Sequence, residues 1–202
     1  AGSNAPFNEA VFKTALSWGA GDDAHLWGRG VKAPAATAAY LNGFQIHAME
    51  YDCVHEPAVV HPMATIFAAV SAEADRQGGI SGFALMEAVI VAVDVAVELG
   101  VAVTSPLKFF RPATAGLFGA ALGIARLRKF DEATALSAMG CALAQCAGVM
   151  QAHVEGKPTL PVQIAGAARA AVRAARPPER VGRPVGRAVG ASVMKVSSVG
   201  LW

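Results

Sequence analysis

These 202 residues contain too few cysteines for a disulfide scaffold: Cys53, Cys141 and Cys146 are three, an odd and widely spaced set. No cationic, apolar leader pattern opens the chain, so a reducing cytoplasm is the expected setting. Charge is also scarce, with charged residues at 16% against 54% hydrophobic ones, which excludes a disordered chain. So apolar a chain must have a large interior or a covered apolar surface, and a buried subunit interface is expected. Strand signals are nearly missing. Long uncharged runs are missing where they would matter most: Phe83–Val103 carries Glu87, Asp94 and Glu98, which spacings of seven and eleven residues return to one helical face. The uncharged stretch Leu136–Val154 is built from Ala, Gly, Ser, Cys and Gln, which gain little in hydrocarbon. Both read as helices of a water-soluble protein, and no membrane partner is expected.

Alanine is the commonest residue and the best helix former, so an all-α, multi-helix bundle is expected. Helices are predicted over Pro6–Trp18 and Ala35–Asp52, with a loop over Gly19–Val31 between them. His61-Pro62 opens the next helix, which stops at Gly78-Gly79, and Ser81 caps the acidic-striped helix ending at Gly100. In the helix after Pro112, Gly116, Gly119 and Gly123 recur at spacings of three and four, which lets another helix approach closely. Asp131 caps a helix predicted to run through Val149, and an Ala/Arg-rich helix covers about Val162–Ala175. After Arg176 the sequence becomes a basic mixture of Gly, Pro, Val and Arg with no helical or strand period. Residues 1–168 hold ten basic and fourteen acidic side chains, whereas residues 169–202 hold seven and one. That basic end has no aromatic interleaving and no DNA-binding motif, so no nucleic-acid partner is expected.

The densest polar constellation runs from His47 through Glu50, Asp52, Cys53, His55 and Glu56 to His61-Pro62, with three of the five histidines. Carboxylates and imidazoles in one interhelical loop can serve as base and acid, though the same groups can simply cap helices and bind water. Cys53, His55 and His61 are competent zinc ligands, but their spacing matches neither a closed zinc site nor an HExxH helix, so no metal is expected. Cys53 beside Asp52 is a poor thiolate nucleophile. The WGRGVKAP segment lacks the phosphate-loop pattern. Arg111, before a Pro-started helix, and Lys157, in a Gly-Lys-Pro turn, could hold a carboxylate substrate or could be solvated surface cations.

NGFQIHAMEYDCVHEPAVVHP resembles the Asn-Gly…His…Asp-[Tyr/Phe]-Asp-Asp…His-Pro signature of the MmgE/PrpD family, which includes 2-methylcitrate dehydratase and cis-aconitate decarboxylase. WGRGVKAPAATAAYLNG, the Ser81-Gly82 helix, FFRPATAGLFGAALGIARL and EGKP follow in family order over about residues 10–175. The resemblance implies the helical domain of a two-domain, dimeric, metal-independent enzyme of small di- or tricarboxylates, with no cofactor. It further implies a hydro-lyase of 2-methylcitrate or a similar acid, working in propionate metabolism. Alternatives are a decarboxylase, an isomerase or epimerase, or an inactive truncated fragment. By position, Glu50 matches the signature's first Asp, Asp52 the second, and Cys53 replaces the third. His61 matches the His-Pro histidine, Arg111 replaces a family histidine, and Lys157 matches the lysine of the Lys-Pro turn. This implies Glu50, Asp52 and His61 as catalytic groups and Arg111 and Lys157 as substrate clamps. Residues 1–176 are then the helical domain, starting inside the family's first helices and without its second domain. Residues 177–202 form an atypical basic tail whose composition suggests a shifted reading frame.

Overall fold

In the computed structural model, which describes residues 2–176, alanine and glycine set how closely the helices pack. The described order is a 3-10 turn at Gly2–Asn4, α1 (Asn8–Leu16), β1 (Ala24–Leu26), β2 (Val31–Ala33), α2 (Ala35–His47), α3 (Pro62–Arg76), α4 (Gly82–Ala102), α5 (Arg111–Leu127), α6 (Glu132–Leu143), α7 (Gln151–Val154) and α8 (Thr159–Ala174). Helices α2, α3, α5 and α8 pack against one another as the centre, with α4 along α5 and α6 outside α5 and α8. The described residues are all-α apart from one small hairpin.

Between the long helices, the closest approach at a glycine is made by α5. A Cβ at Gly119 would press into the Ala92 carbonyl oxygen and come within 3.0 Å of the Ala96 Cβ, and one at Gly123 would meet Ala88 O at 2.8 Å. Gly116 does the same toward Thr65 of α3, at 3.0 Å, and Gly43 of α2 faces Ala68 and Ala168. Small residues thus let backbones touch, and the core holds few large side chains, Phe44, Leu41, Ile66, Leu117 and Ile164 among them.

Helix starts follow the sequence signals. Pro62 and Pro112 sit in first turns, and the side chains of Ser81 and Asp131 accept from Ala84 N–H and Thr134 N–H. Its two bonds to Thr134 hold the Asp131 carboxyl below its ordinary range. Under the core, Glu73 is buried against Arg76, with Gln77 Nε2 donating to it at 3.2 Å and Arg128 at 3.9 Å. Burial pushes its carboxyl above the ordinary glutamate range despite the opposing pull of Gln77 and Arg128.

Three expectations are corrected. The loop predicted over Gly19–Val31 contains most of an antiparallel hairpin, Ala24 opposite Ala33 and Leu26 opposite Val31, whose three-residue strands are too short to show a period of two. It is held from outside: Asn42 Oδ1 accepts from Trp27 N–H at 3.1 Å, Asn42 Nδ2 donates to His25 O at 2.9 Å, and Asp75 takes both the His25 N–H and its Nδ1 at 2.9 Å. The helix predicted to Asp52 ends at His47, because Glu50 takes a left-handed φ of 50° and turns the chain back. The helix predicted through Val149 ends at Leu143, and a bend with Gly148 at φ 136° precedes the short α7.

Among the described residues no helix is long and apolar enough to cross a membrane. Helix α4 buries only Ala88, Ala92, Ala96 and Gly100, leaving Phe83, Met86 and Ile90 exposed beside its acidic residues. The tail after Arg176 lies outside the described residues.

Gly119→Ala is expected to lower unfolding free energy by about 2–3 kcal/mol through overpacking against α4. Gly166→Ala in α8, where a Cβ meets nothing within 4 Å, is expected to raise it by up to about 1 kcal/mol. Urea unfolding of both variants measures the contrast.

Candidate functional site

His47 is the last residue of α2, and its ring is 1% exposed beneath Phe110, with ring centroids 6.0 Å apart. The left-handed turn at Glu50, closed by a bond from Glu50 N–H to His47 O at 2.9 Å, returns the chain beside that ring. Asp52 follows with its side chain 3% exposed and both carboxylate oxygens 3.1 Å from His47 Nδ1. A carboxylate only accepts, so the proton of His47 sits on Nδ1.

The chain then makes a tight excursion closed by an antiparallel bridge between His55 and Val60, with Val59 at φ 54°. His55 Nδ1 accepts from Ala58 N–H at 3.2 Å, which gives that histidine a role in shaping the loop. The excursion ends at His61, at the start of α3, with Nδ1 3.4 Å from Asp52 Oδ2. The two imidazoles meet nearly edge to face, 5.1 Å between centroids and 73° between planes. Asp52 therefore lies between two imidazoles, His47 fully enclosed and His61 24% exposed. Among the described residues, neither His47 Nε2 nor His61 Nδ1 has a hydrogen-bond partner, though both atoms are buried. A buried acceptor flanked by two titrating rings, one of them open to solvent, can orient a base and pass a proton outward.

Of the residues picked out in the sequence, the structure joins Asp52 and His61. Glu50 is exposed at the turn and Lys157 is exposed in the turn before α8, and neither side chain makes a hydrogen bond or ion pair with the triad. Arg111 is committed elsewhere. Its Nη1 donates to Ala58 O at 3.1 Å and Gly100 O at 3.2 Å, and its Nη2 to Val103 O and Ser105 O at 3.4 Å. Four of five guanidinium donors thus tie the end of α4, which has no basic residue in its own last turn, to the 58–60 loop. Among the described residues, only Nε–H of this guanidinium has no acceptor. Of the zinc-competent set Cys53, His55 and His61, only His61 joins the cluster, and Cys53 is exposed. His47 was legible as part of the polar run but given no separate role; an imidazole closing an otherwise apolar helix five residues before an aspartate was its signal.

Residues 1–177 match the MmgE/PrpD N-terminal domain. The chain belongs to the MmgE/PrpD family. Human cis-aconitate decarboxylase, of the same family, is 28% identical over 158 residues, 74% of this chain and 32% of that protein. The chain thus spans about a third of the length of that curated relative. In this MmgE/PrpD chain, the signature segment is the one that builds the triad: Asn42 fixes the hairpin, Gly43 faces Ala68 of α3 and Ala168 of α8, and His47, Asp52 and His61 converge.

Arg111→Ala is expected to cost about 2 kcal/mol, the worth of charge-assisted bonds to carbonyls that water then replaces. It should also speed amide exchange through residues 100–105. Arg111→Lys should recover less than half of the loss, because an ammonium cannot reach four carbonyls as a planar fork does.

Proposed function

We propose that this domain supplies the acid–base half of a lyase acting on a small di- or tricarboxylate. The observation that carries the reading is Asp52, buried between His47 and His61. His61, the partly exposed ring, takes or gives the proton; Asp52 holds its orientation and balances the imidazolium that forms; His47 fixes Asp52 from behind. In such chemistry a proton leaves the carbon next to a carboxylate and the departing hydroxyl or carboxyl is assisted, so the triad accounts for the proton step alone. Lys157, exposed at the start of α8, is the cation we assign to holding a substrate carboxylate. Arg111 contributes a fixed positive charge with one free donor. Glu50 is a second carboxylate at the rim of the same turn.

Family membership and the similarity to cis-aconitate decarboxylase support a lyase, and the resemblance in the signature favours 2-methylcitrate or a like acid as substrate. Dehydration, decarboxylation and epimerisation share the proton step. Solvent deuterium entering the substrate without loss of water or carbon dioxide marks the epimerase. A helical assembly module without activity is the second reading, favoured by the exposed Phe83, Met86 and Ile90 of α4, which suit a homodimer contact.

His61→Ala in a full-length family enzyme that carries the same His, Asp and His is expected to cut kcat at least about a hundredfold with little change in KM. Near-wild-type turnover would remove His61 from the proton step. In the 202-residue chain, titration with citrate-like tricarboxylates should shift the His61 ring resonances and leave those of His25 in place.

A further inference from the structure

We propose that His47, Asp52 and His61 form a binding site for one borderline-soft divalent cation of the zinc class. One donor atom from each of the three lies within 4.8 Å of the others. A tetrahedral zinc ion, with ligand bonds of about 2.0–2.2 Å, spaces its ligand atoms roughly 3.4 Å apart. The two nitrogen-to-oxygen separations, 3.1 and 3.4 Å, stand at that spacing already. Two imidazoles and one carboxylate select zinc, cobalt or nickel over magnesium and calcium, which prefer sets of oxygen ligands.

A second feature points the same way. Among the described residues, His61 Nδ1, the atom nearest Asp52 Oδ2, is buried without a hydrogen-bond partner. One carboxylate is asked to serve two rings and satisfies one of them well. A cation among the three would take lone pairs from the carboxylate, from His61 Nδ1 and, once its proton has moved to Nε2, from His47 Nδ1. The exposed side of His61 leaves room for a fourth ligand from solvent.

The sequence spacing concealed this set, since it crosses from the last residue of α2 through a left-handed turn to the start of α3 and includes an aspartate in place of the cysteine. Binding follows from geometry alone. Its consequence, that the cation occupies the atoms of proton transfer and inhibits turnover, rests on the acid–base reading above.

The test is a cobalt(II) titration of the full 202-residue chain, followed by visible d–d absorption and checked by calorimetry with zinc(II). One equivalent should saturate an intense band of a four- or five-coordinate ion. His47→Ala and His61→Ala should each weaken binding at least about tenfold, whereas His25→Ala and His153→Ala, both outside the loop, should leave it unchanged. Asp52→Asn preserves shape and serves as the third ligand variant if either alanine variant loses helical circular dichroism. A weak spectrum like that of aqueous cobalt, or equal losses in the His25 and His153 variants, overturns the site. In a full-length family enzyme with the same triad, zinc should inhibit and a chelator should restore turnover. Undiminished turnover at full occupancy overturns the inhibition while binding stands. Absence of carboxylate turnover in a metal-free enzyme overturns the lyase reading and leaves the cation site intact.

Discussion

The carboxylate of Asp52 is the group around which this end of the bundle is organised. Taking an aspartate side chain to 3% exposure is costly unless its oxygens are matched by donors. The hydrogen-bonded match comes from His47, the end of α2, while His61, the start of α3, faces the same carboxylate at 3.4 Å, so the carboxylate stands between the stop of one helix and the beginning of the next. The left-handed residues Glu50 and Val59 are what it takes to return a chain so tightly between those two points. Arg111 supports the same region from the other side, spending its donors on the 58–60 loop and the end of α4.

Behind the site, small residues do the structural work. Gly119 and Gly123 of α5 lie against Ala92 and Ala88 of α4, and Gly116 against Thr65 of α3. Thr65 follows Pro62 in the first turns of α3, the helix that begins at His61, and its hydroxyl donates to Pro112 O at 3.3 Å. The close contact between α3 and α5 therefore sets the position of one ring of the triad, and the Gly43 contact of α2 with α3 and α8 sets the other. Packing and chemistry are joined through backbone approach rather than through large interlocking side chains.

Much of this was readable from residue order. Proline at first turns, Ser81 and Asp131 as caps, and glycines at spacings of three and four are local signals, and the helices they imply are present. The hairpin was hidden because three-residue strands carry no period, and its stability comes from Asn42 and Asp75 on distant helices. The end of α6 was hidden because Ala, Gly, Cys and Gln run on past Leu143 without a stop. At the site, Asp52 and His61 were visible through the family signature, but the placement of Arg111 was not. Its partners lie as far as 53 residues away, and a cation before a helix looks the same whether it meets substrate or backbone. Glu50 likewise reads as a catalytic carboxylate until its left-handed backbone turns it outward.

The most direct measurement of the central claim is nitrogen NMR of the two imidazoles in the full chain and in Asp52→Asn. If the buried carboxylate organises the pair, His47 will carry its proton on Nδ1 in the parent, and both His47 and His61 ring resonances will move in Asp52→Asn while those of His25 stay. A His47 ring protonated on Nε2 in the parent, or rings indifferent to the loss of the carboxylate, would contradict it.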